Sequence, residues 1–257
     1  MGFINKLDVD RISKDFIPEE FINDENRLKF YPNPVKKEKK YRKLFAGEIE
    51  ILVKNNNFSE DWNEIYVTSN FNPNLVKNCE FFGVVKIGNM TLSCLEFHDL
   101  RLPVGLYDSI IVSCEIGDDA AIRDVNYLSH YIIGDCCILF NIQEMAVSNH
   151  AKFGAGILKE GENEDVRVWL EVGNENMGRK ILPFDSILPS DAYIWSKFRG
   201  DKLLMERFVE ITDKEYSKTR GFFGEVGNFS IVKNCRILKD VKIGEYAYIK
   251  GANKLKN

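Results

Sequence analysis

Residues 110–142 read IIVSCEIGDDAAIRDVNYLSHYIIGDCCILFNI, and the spacing of their branched aliphatic residues decides the fold. From Val104 such a residue returns every six positions, at Ile110, Ile116, Ile122 and Leu128. After a one-residue slip, Ile133, Leu139 and Met145 carry the spacing on, and Ile231, Ile237, Ile243 and Ile249 repeat it near the C-terminus. A helix repeats apolar residues at three and four, and an ordinary strand at two. A six-residue period suits neither; it suits a β-solenoid with short flat faces six residues long. Four positions after many of these anchors stands a compact residue: Cys114, Ala120, Cys137, Cys235, Val241 or Ala247.

Working outward, the same unit returns as sequence. LVKNCEFFGVVKIGNMTL begins at Leu75 and IVKNCRILKDVKIGEYAY at Ile231. Val76, Lys77, Asn78, Cys79, Val85, Lys86, Ile87 and Gly88 recur in register at Val232, Lys233, Asn234, Cys235, Val241, Lys242, Ile243 and Gly244. The segment IIVSCEIGDDAAI from Ile110 is a weaker third copy. Unrelated strands have no reason to share one phase in this way.

The chain has 257 residues, 44% hydrophobic and 29% charged, with a net charge of -4. It is long enough to bury a sizeable core, and it lacks the basic excess that tracks a phosphate backbone, which argues against nucleic acid as a partner. No apolar run approaches the roughly 20 residues needed to span a bilayer, and the first residues lack the long apolar region of a secretory signal. Lys6 stands where a myristoylation pattern needs Ser or Thr. Four of the six cysteines (Cys79, Cys114, Cys137, Cys235) take the compact repeat position, where a free thiol acts as a small hydrophobe. The adjacent Cys136 and Cys137 lack the spacing of a metal clip. The expectation is reduced, structural thiols in the cytoplasm.

Taken in order, residues 1–72 read as an N-terminal appendage with short helices, one opening at Pro18 and one over Gly47–Lys54, closed by Asn55, Asn56 and Asn57. The basic run KKEKKYRK (36–43) reads as a solvated face. A strand at Tyr66–Thr68 leads into the first rungs, assigned to residues 73–145. Within them CLEFHDLRLP (94–103) interrupts the period as an extended segment that turns most of its polar groups to one side. Residues 146–225 form an insertion: a loop NHAKFGAG, a hairpin from VRVWLEV, and a helical pair started by Pro189–Asp191 and split at Gly200-Asp201. In its second helix Leu204, Phe208 and Ile211 make a packing stripe. Rungs resume over 226–257, and the stop soon after Ile249 suggests the front part of a longer protein or an end covered by a partner.

The six-residue pattern over residues 75–92, 104–145 and 226–251 resembles the left-handed parallel β-helix of the hexapeptide-repeat acyltransferases. Such helices wind against the usual crossover preference, so the handedness comes from the resemblance. LEFHDLRLPVGLY, YLSHYIIGD, NHAKFGAGILKEGE and VRVWLEV also resemble an uncharacterised bacterial family of longer proteins related to these enzymes, over most of residues 41–257. The implied fold is mainly β, a left-handed β-helix with an N-terminal appendage and an α+β insertion holding the helical pair. The resemblance implies a homotrimer, an acyl-CoA donor, a sugar or sugar-nucleotide acceptor, and a His as general base. Asn126–Asp135 is similar to the signature of the acetyl-transferring half of bifunctional sugar-1-phosphate enzymes, with Tyr127 in the signature's His position and His130 three residues later.

A base that lifts a proton near neutral pH is most simply a histidine, and the chain has three. His150 sits with Asn149 and Lys152 in a Gly-containing loop, where sites usually lie. His130, beside Asn126, stands in a rung as a base or as a hydrogen-bonded structural residue. His98 accompanies Arg101, whose guanidinium either clamps an anion or pairs with Glu96 or Asp99. The catalytic candidates are His150 and His130, and the binding candidates are Asn149, Lys152, Arg101, His98 and Asn126. No phosphate loop, zinc motif or nucleophile elbow appears, so no metal is expected. Two functions stay open: an acyltransferase, or a non-catalytic oligomeric scaffold or ligand-binding protein.

Overall fold

The computed structural model describes residues 6, 9, 39–148, 156–158, 162–173, 178–185, 187–216, 218 and 222–256. They fall into two compact units, Met1–Ala151 with Phe222–Asn257, and Lys152–Gly221.

The first unit is mainly β. Sheet A has seven strands in the order Arg42–Lys43, Ile65–Val67, Val85–Ile87, Glu115–Ile116, Tyr131–Ile133, Gly224–Val226 and Lys242–Ile243. Sheet B has nine: Phe58–Ser59, Val76–Phe82, Gly105–Val112, Ala121–Val125, Ile138–Ala146, Ile231–Lys239 and Tyr248–Lys250 in line, with Leu128–Ser129 and Lys254–Lys256 beside them. Every pairing within these two sheets is parallel except that of Arg42–Lys43 with Tyr66–Val67. Strands therefore begin inside the segment read as an appendage, and Phe58–Ser59 and Ile65–Val67 already pair with the strands that follow.

Register explains the aliphatic period. Val67, Ile87, Ile116, Ile133, Val226 and Ile243 lie side by side across sheet A. Val76, Leu106, Ile122, Leu139, Val232 and Ile249 do so across sheet B, as do Phe81, Ile111, Leu128, Met145, Leu238 and Leu255. Nearly all are buried, and burying each such side chain is worth roughly 1.5–3 kcal/mol, so these three stacks drive the folding of the unit. The six-residue count slips at two anchors. Ile111 and Leu238, both 0% exposed, point inward where Ile110 and Ile237 were expected.

The compact positions are corners. Cys114, Ala120, Cys137, Cys235, Val241 and Ala247 each follow a residue with left-handed backbone: Ser113, Asp119, Cys136, Asn234, Asp240 and Tyr246, with φ from 47 to 57°. That conformation swings the chain round, and the next side chain enters a narrow interior angle where small groups fit. Asn and Asp tolerate the left-handed region best, and one column of corners is built from them. Asn56 Nδ2 donates to Asn78 Oδ1 (3.1 Å), Asn78 Nδ2 to Asp108 Oδ1 (2.9 Å) and Asn141 Nδ2 to Asn234 Oδ1 (2.9 Å). Tyr131 breaks the size rule after the left-handed His130 and is wholly buried. Gly224 makes room for it: a Cβ there would lie 2.4 Å from the tyrosine ring.

The described part of the basic run, residues 39–43, is only in part the solvated face it resembles: Lys40 and Lys43 are exposed, and the others are engaged. Lys39 Nζ reaches Asp135 (2.7 Å) and Asp118 (3.0 Å), Tyr41 Oη bonds Glu115, and Arg42 forks onto Glu48 at 2.8 Å. Tyr41 also lies under Lys86 Nζ, so Lys39 and Tyr41 strap sheet A through charges on and just beyond its strands. Helix α1 (Ala46–Lys54) follows, with Glu48 Oε2 accepting from Phe45 N at its start and Asn55 capping its end.

In the second unit, Leu170–Glu171 pairs antiparallel with Lys180–Ile181, and helices α2 (Pro189–Lys197) and α3 (Lys202–Glu215) pack a core of Ile181, Leu182 and Trp195. Asp201 caps α3 through Leu204 N. Met205, Phe208 and Val209 supply its packing stripe, whereas Ile211 is 47% exposed, a register one residue off the expected one. Arg167 is buried in an ion network: its Nη2 meets Asp213 Oδ1 at 2.7 Å and its Nε donates to Gly156 O.

Candidate functional site

The interruption at residues 94–103 is a hairpin, not a single extended segment. Cys94–Phe97 pairs antiparallel with Leu100–Pro103, and His98-Asp99 makes the two-residue turn, with His98 at φ 52°. Its apolar residues fold over the outer side of sheet B. Leu102 packs with Ala121, Ile138 and Ile231, and Leu95, Phe97, Leu100 and Phe140 surround them. At the tip, the Phe97 ring lies 4.8 Å from Tyr248 and 4.3 Å from His98.

Beside the hairpin runs one outward column of sheet B: Lys77, Tyr107, Arg123, Phe140, Lys233 and Lys250 are paired neighbours from strand to strand. Arg123 Cζ stands 4.7 Å over the Tyr107 ring, and Lys233 Nζ is 5.5 Å from the Tyr248 ring and 5.9 Å from Phe97. Among the described residues none of the four cations has a carboxylate partner, and Arg123 Nε is buried without a hydrogen bond. Asp108 and Asp124 flank the column at its corner, both exposed. The binding candidates read from sequence did not include Lys77, Arg123, Lys233, Lys250 or Tyr248. The exact recurrence of Val76-Lys77 as Val232-Lys233 is the signal that places two of them in one column.

The expected site residues divide. His98 is exposed at the hairpin tip. Arg101 is paired with Glu96 across the hairpin at 3.0 Å, the salt bridge rather than the anion clamp. Asn126 is exposed at a turn, its N–H donating to Ile142 O. His150, Asn149 and Lys152 lie outside the described residues.

His130 is 5% exposed, with Nδ1 2.6 Å from Ser129 Oγ and its ring 5.8 Å from Phe223. Burial alone pushes its pKa down to about 3. An imidazole so weakly basic and so enclosed is poorly matched to proton abstraction near neutral pH; the geometry is that of a structural residue. Burial likewise pushes the Cys79 and Cys114 thiols up to about 12, which removes the thiolate that nucleophilic or metal-binding chemistry needs. Among the described residues no three His, Cys, Asp or Glu side chains group closely enough to hold a metal ion.

Residues 41–257 match a family described as "Domain of unknown function (DUF4954)". The chain belongs to this family. An uncharacterised protein of Treponema pallidum (strain Nichols) is 39% identical over 98% of this chain, which spans 35% of that relative's length. No solved structure matches the chain. Among the described residues no helix is long and apolar enough to cross a membrane.

Proposed function

We propose that sheets A and B are faces of a left-handed β-helix, and that the chain is a ligand-binding module of the hexapeptide-repeat type. Its binding face is the part of sheet B beside the hairpin. Strands that return in parallel register after about 17 residues, with left-handed corners between them, support the solenoid. The observation that carries the binding reading is the hairpin itself. It covers the apolar side of one outer column and leaves His98, Lys233 and Tyr248 together at its tip. A rigid sheet with a loop folded on it is a common way to hold a site.

The exposure of His98 favours a second reading, an acyltransferase on a homotrimeric β-helix. There His98 serves as base, moving an acyl group from acyl-CoA to a sugar or sugar-nucleotide. Thermal unfolding with CoA, acetyl-CoA and longer acyl-CoAs tests the binding reading, since a ligand at 100 times its dissociation constant stabilises by about 2.7 kcal/mol. No shift with any of them removes the acyl-CoA ligand. Thiol release from acetyl-CoA in the presence of amino sugars, abolished in His98→Asn, would put the enzyme first; binding without turnover keeps the scaffold.

A further inference from the structure

From the cation column we propose that the outer face of sheet B binds an oligophosphate, the phosphate chain of a nucleotide or a free polyphosphate, through Arg123 and Lys233 with Lys77 and Lys250 at its ends. The proposal rests on the reading of this face as the ligand face and names the chemistry it takes. On sheet A Lys86 pairs with Glu115 at 3.6 Å and Lys242 with Glu225 at 3.7 Å, and Lys39 beside the sheet pairs with Asp118 and Asp135. On sheet B four cations share one column and none is matched among the described residues. Lys233 and Lys250 stand on adjacent strands and Lys77, Arg123 and Lys233 on every second strand, so these like charges repel one another, and an added anion relieves that repulsion.

Aromatic contacts hold two of the cations in place before any ligand arrives. Arg123 lies on Tyr107, and Lys233 on Tyr248 and Phe97. Arg123 keeps its terminal nitrogens for a forked contact to phosphate oxygens. One strand, that of Phe140, separates Arg123 from Lys233. Their backbones thus stand about 10 Å apart, a gap two long side chains close onto successive phosphates of one chain. Stacking nucleic-acid bases requires open rings. Here Arg123 caps Tyr107, and Tyr248, though 47% exposed, is held against Phe97 and under Lys233, so the cations rather than the rings define the site and phosphate is the group recognised.

The test is calorimetric titration of the 257-residue chain with inorganic tripolyphosphate, ATP and CoA in magnesium-free buffer. Tripolyphosphate and ATP are expected to bind with affinities within a few-fold of each other, and Arg123→Gln and Lys233→Gln each to weaken both about tenfold or more. Lys242→Gln, on sheet A, is expected to leave both unchanged. Circular dichroism of each variant confirms an intact fold, and the half-buried Lys233 gives a variant independent of Arg123 packing. Tripolyphosphate that fails to bind, or binding that Lys233→Gln leaves untouched, overturns the proposal. Binding of ATP without tripolyphosphate also overturns it, because recognition would then lie in the base. A thermal shift with acyl-CoA despite absent tripolyphosphate binding would sink this inference and leave the broader ligand-binding reading standing.

Discussion

Sheets A and B belong to one compact unit but present contrasting outer faces. On sheet A Lys86 and Lys242 meet carboxylates, and Lys39 and Tyr41 are fastened beside them through Asp118, Asp135 and Glu115. On sheet B Arg123 and Lys233 sit on aromatic rings without a carboxylate partner among the described residues, next to a hairpin that buries the neighbouring column. Burial moves Lys86 below the ordinary lysine range although Glu115 opposes it. For Lys39, burial also lowers the pKa, but hydrogen bonds to Asp135 and Asp118 and their charges outweigh it, so the net shift is upward. Satisfied charges of this kind are what a structural face requires; unsatisfied ones held in place are what a binding face requires.

The contrast makes changes on sheet A act on stability and changes on sheet B act on binding. The largest effect belongs to Tyr131→Ala, which opens a cavity in a fully buried position and is expected to cost about 3–5 kcal/mol in denaturant unfolding. Gly224→Ala, which drives a methyl into the same ring, is expected to cost about 1–3 kcal/mol. Most of that cost should vanish in a Tyr131→Cys background, as it must if the two positions compensate in size.

Next comes acid sensitivity. The folded pKa of His130 is about 3, against an ordinary value near 6.5. Above 6.5 both states are neutral and no penalty arises. Between the two values the unfolded state takes up a proton that the folded state refuses, so stability falls as pH drops from 6.5 towards 3. His130→Asn, whose side chain tolerates the left-handed backbone, is expected to flatten that part of the stability profile. An unchanged profile would mean the acid response lies elsewhere.

Smaller still is the strap. Lys39→Gln leaves Asp118 and Asp135 facing each other and is expected to destabilise by about 1 kcal/mol at neutral pH, less in high salt. Because the folded Lys39 pKa is raised, its contribution is complete below the ordinary value of about 10.4 and disappears as pH climbs through the higher folded value. Lys233→Gln should change stability by less than about 0.5 kcal/mol while weakening the anion. If it destabilises as much as Lys39→Gln, the two faces are not distinct in kind.

Much of the interior was legible in the sequence because inward positions obey one steric rule at every turn. The aliphatic stacks and the compact corner residues are read directly from spacing, with a one-residue error at Ile110 and Ile237, where the preceding corners shift the phase. The outer faces obey no such rule. Lys39 looks solvated until Asp118 and Asp135, which are far from it in sequence, are placed beside each other by strand pairing. The hairpin at 94–103 was read as a single extended segment because its turn, His98-Asp99, lacks the glycine that usually marks such a turn. The sequence leaves His130 open as a base or a structural residue, and its enclosure by Ser129 and Phe223 favours the second. Arg123 carries no motif at all, and Lys233 is marked only by its recurrence after Lys77; register brings the two together.

Hydrogen–deuterium exchange with and without saturating tripolyphosphate tests most directly whether sheet B is the ligand face. The account expects slowed exchange in the hairpin Cys94–Pro103 and in strands Ala121–Val125 and Ile231–Lys239, with Val85–Ile87 and Glu115–Ile116 of sheet A unchanged. Protection confined to sheet A, or spread evenly over both sheets, would contradict it.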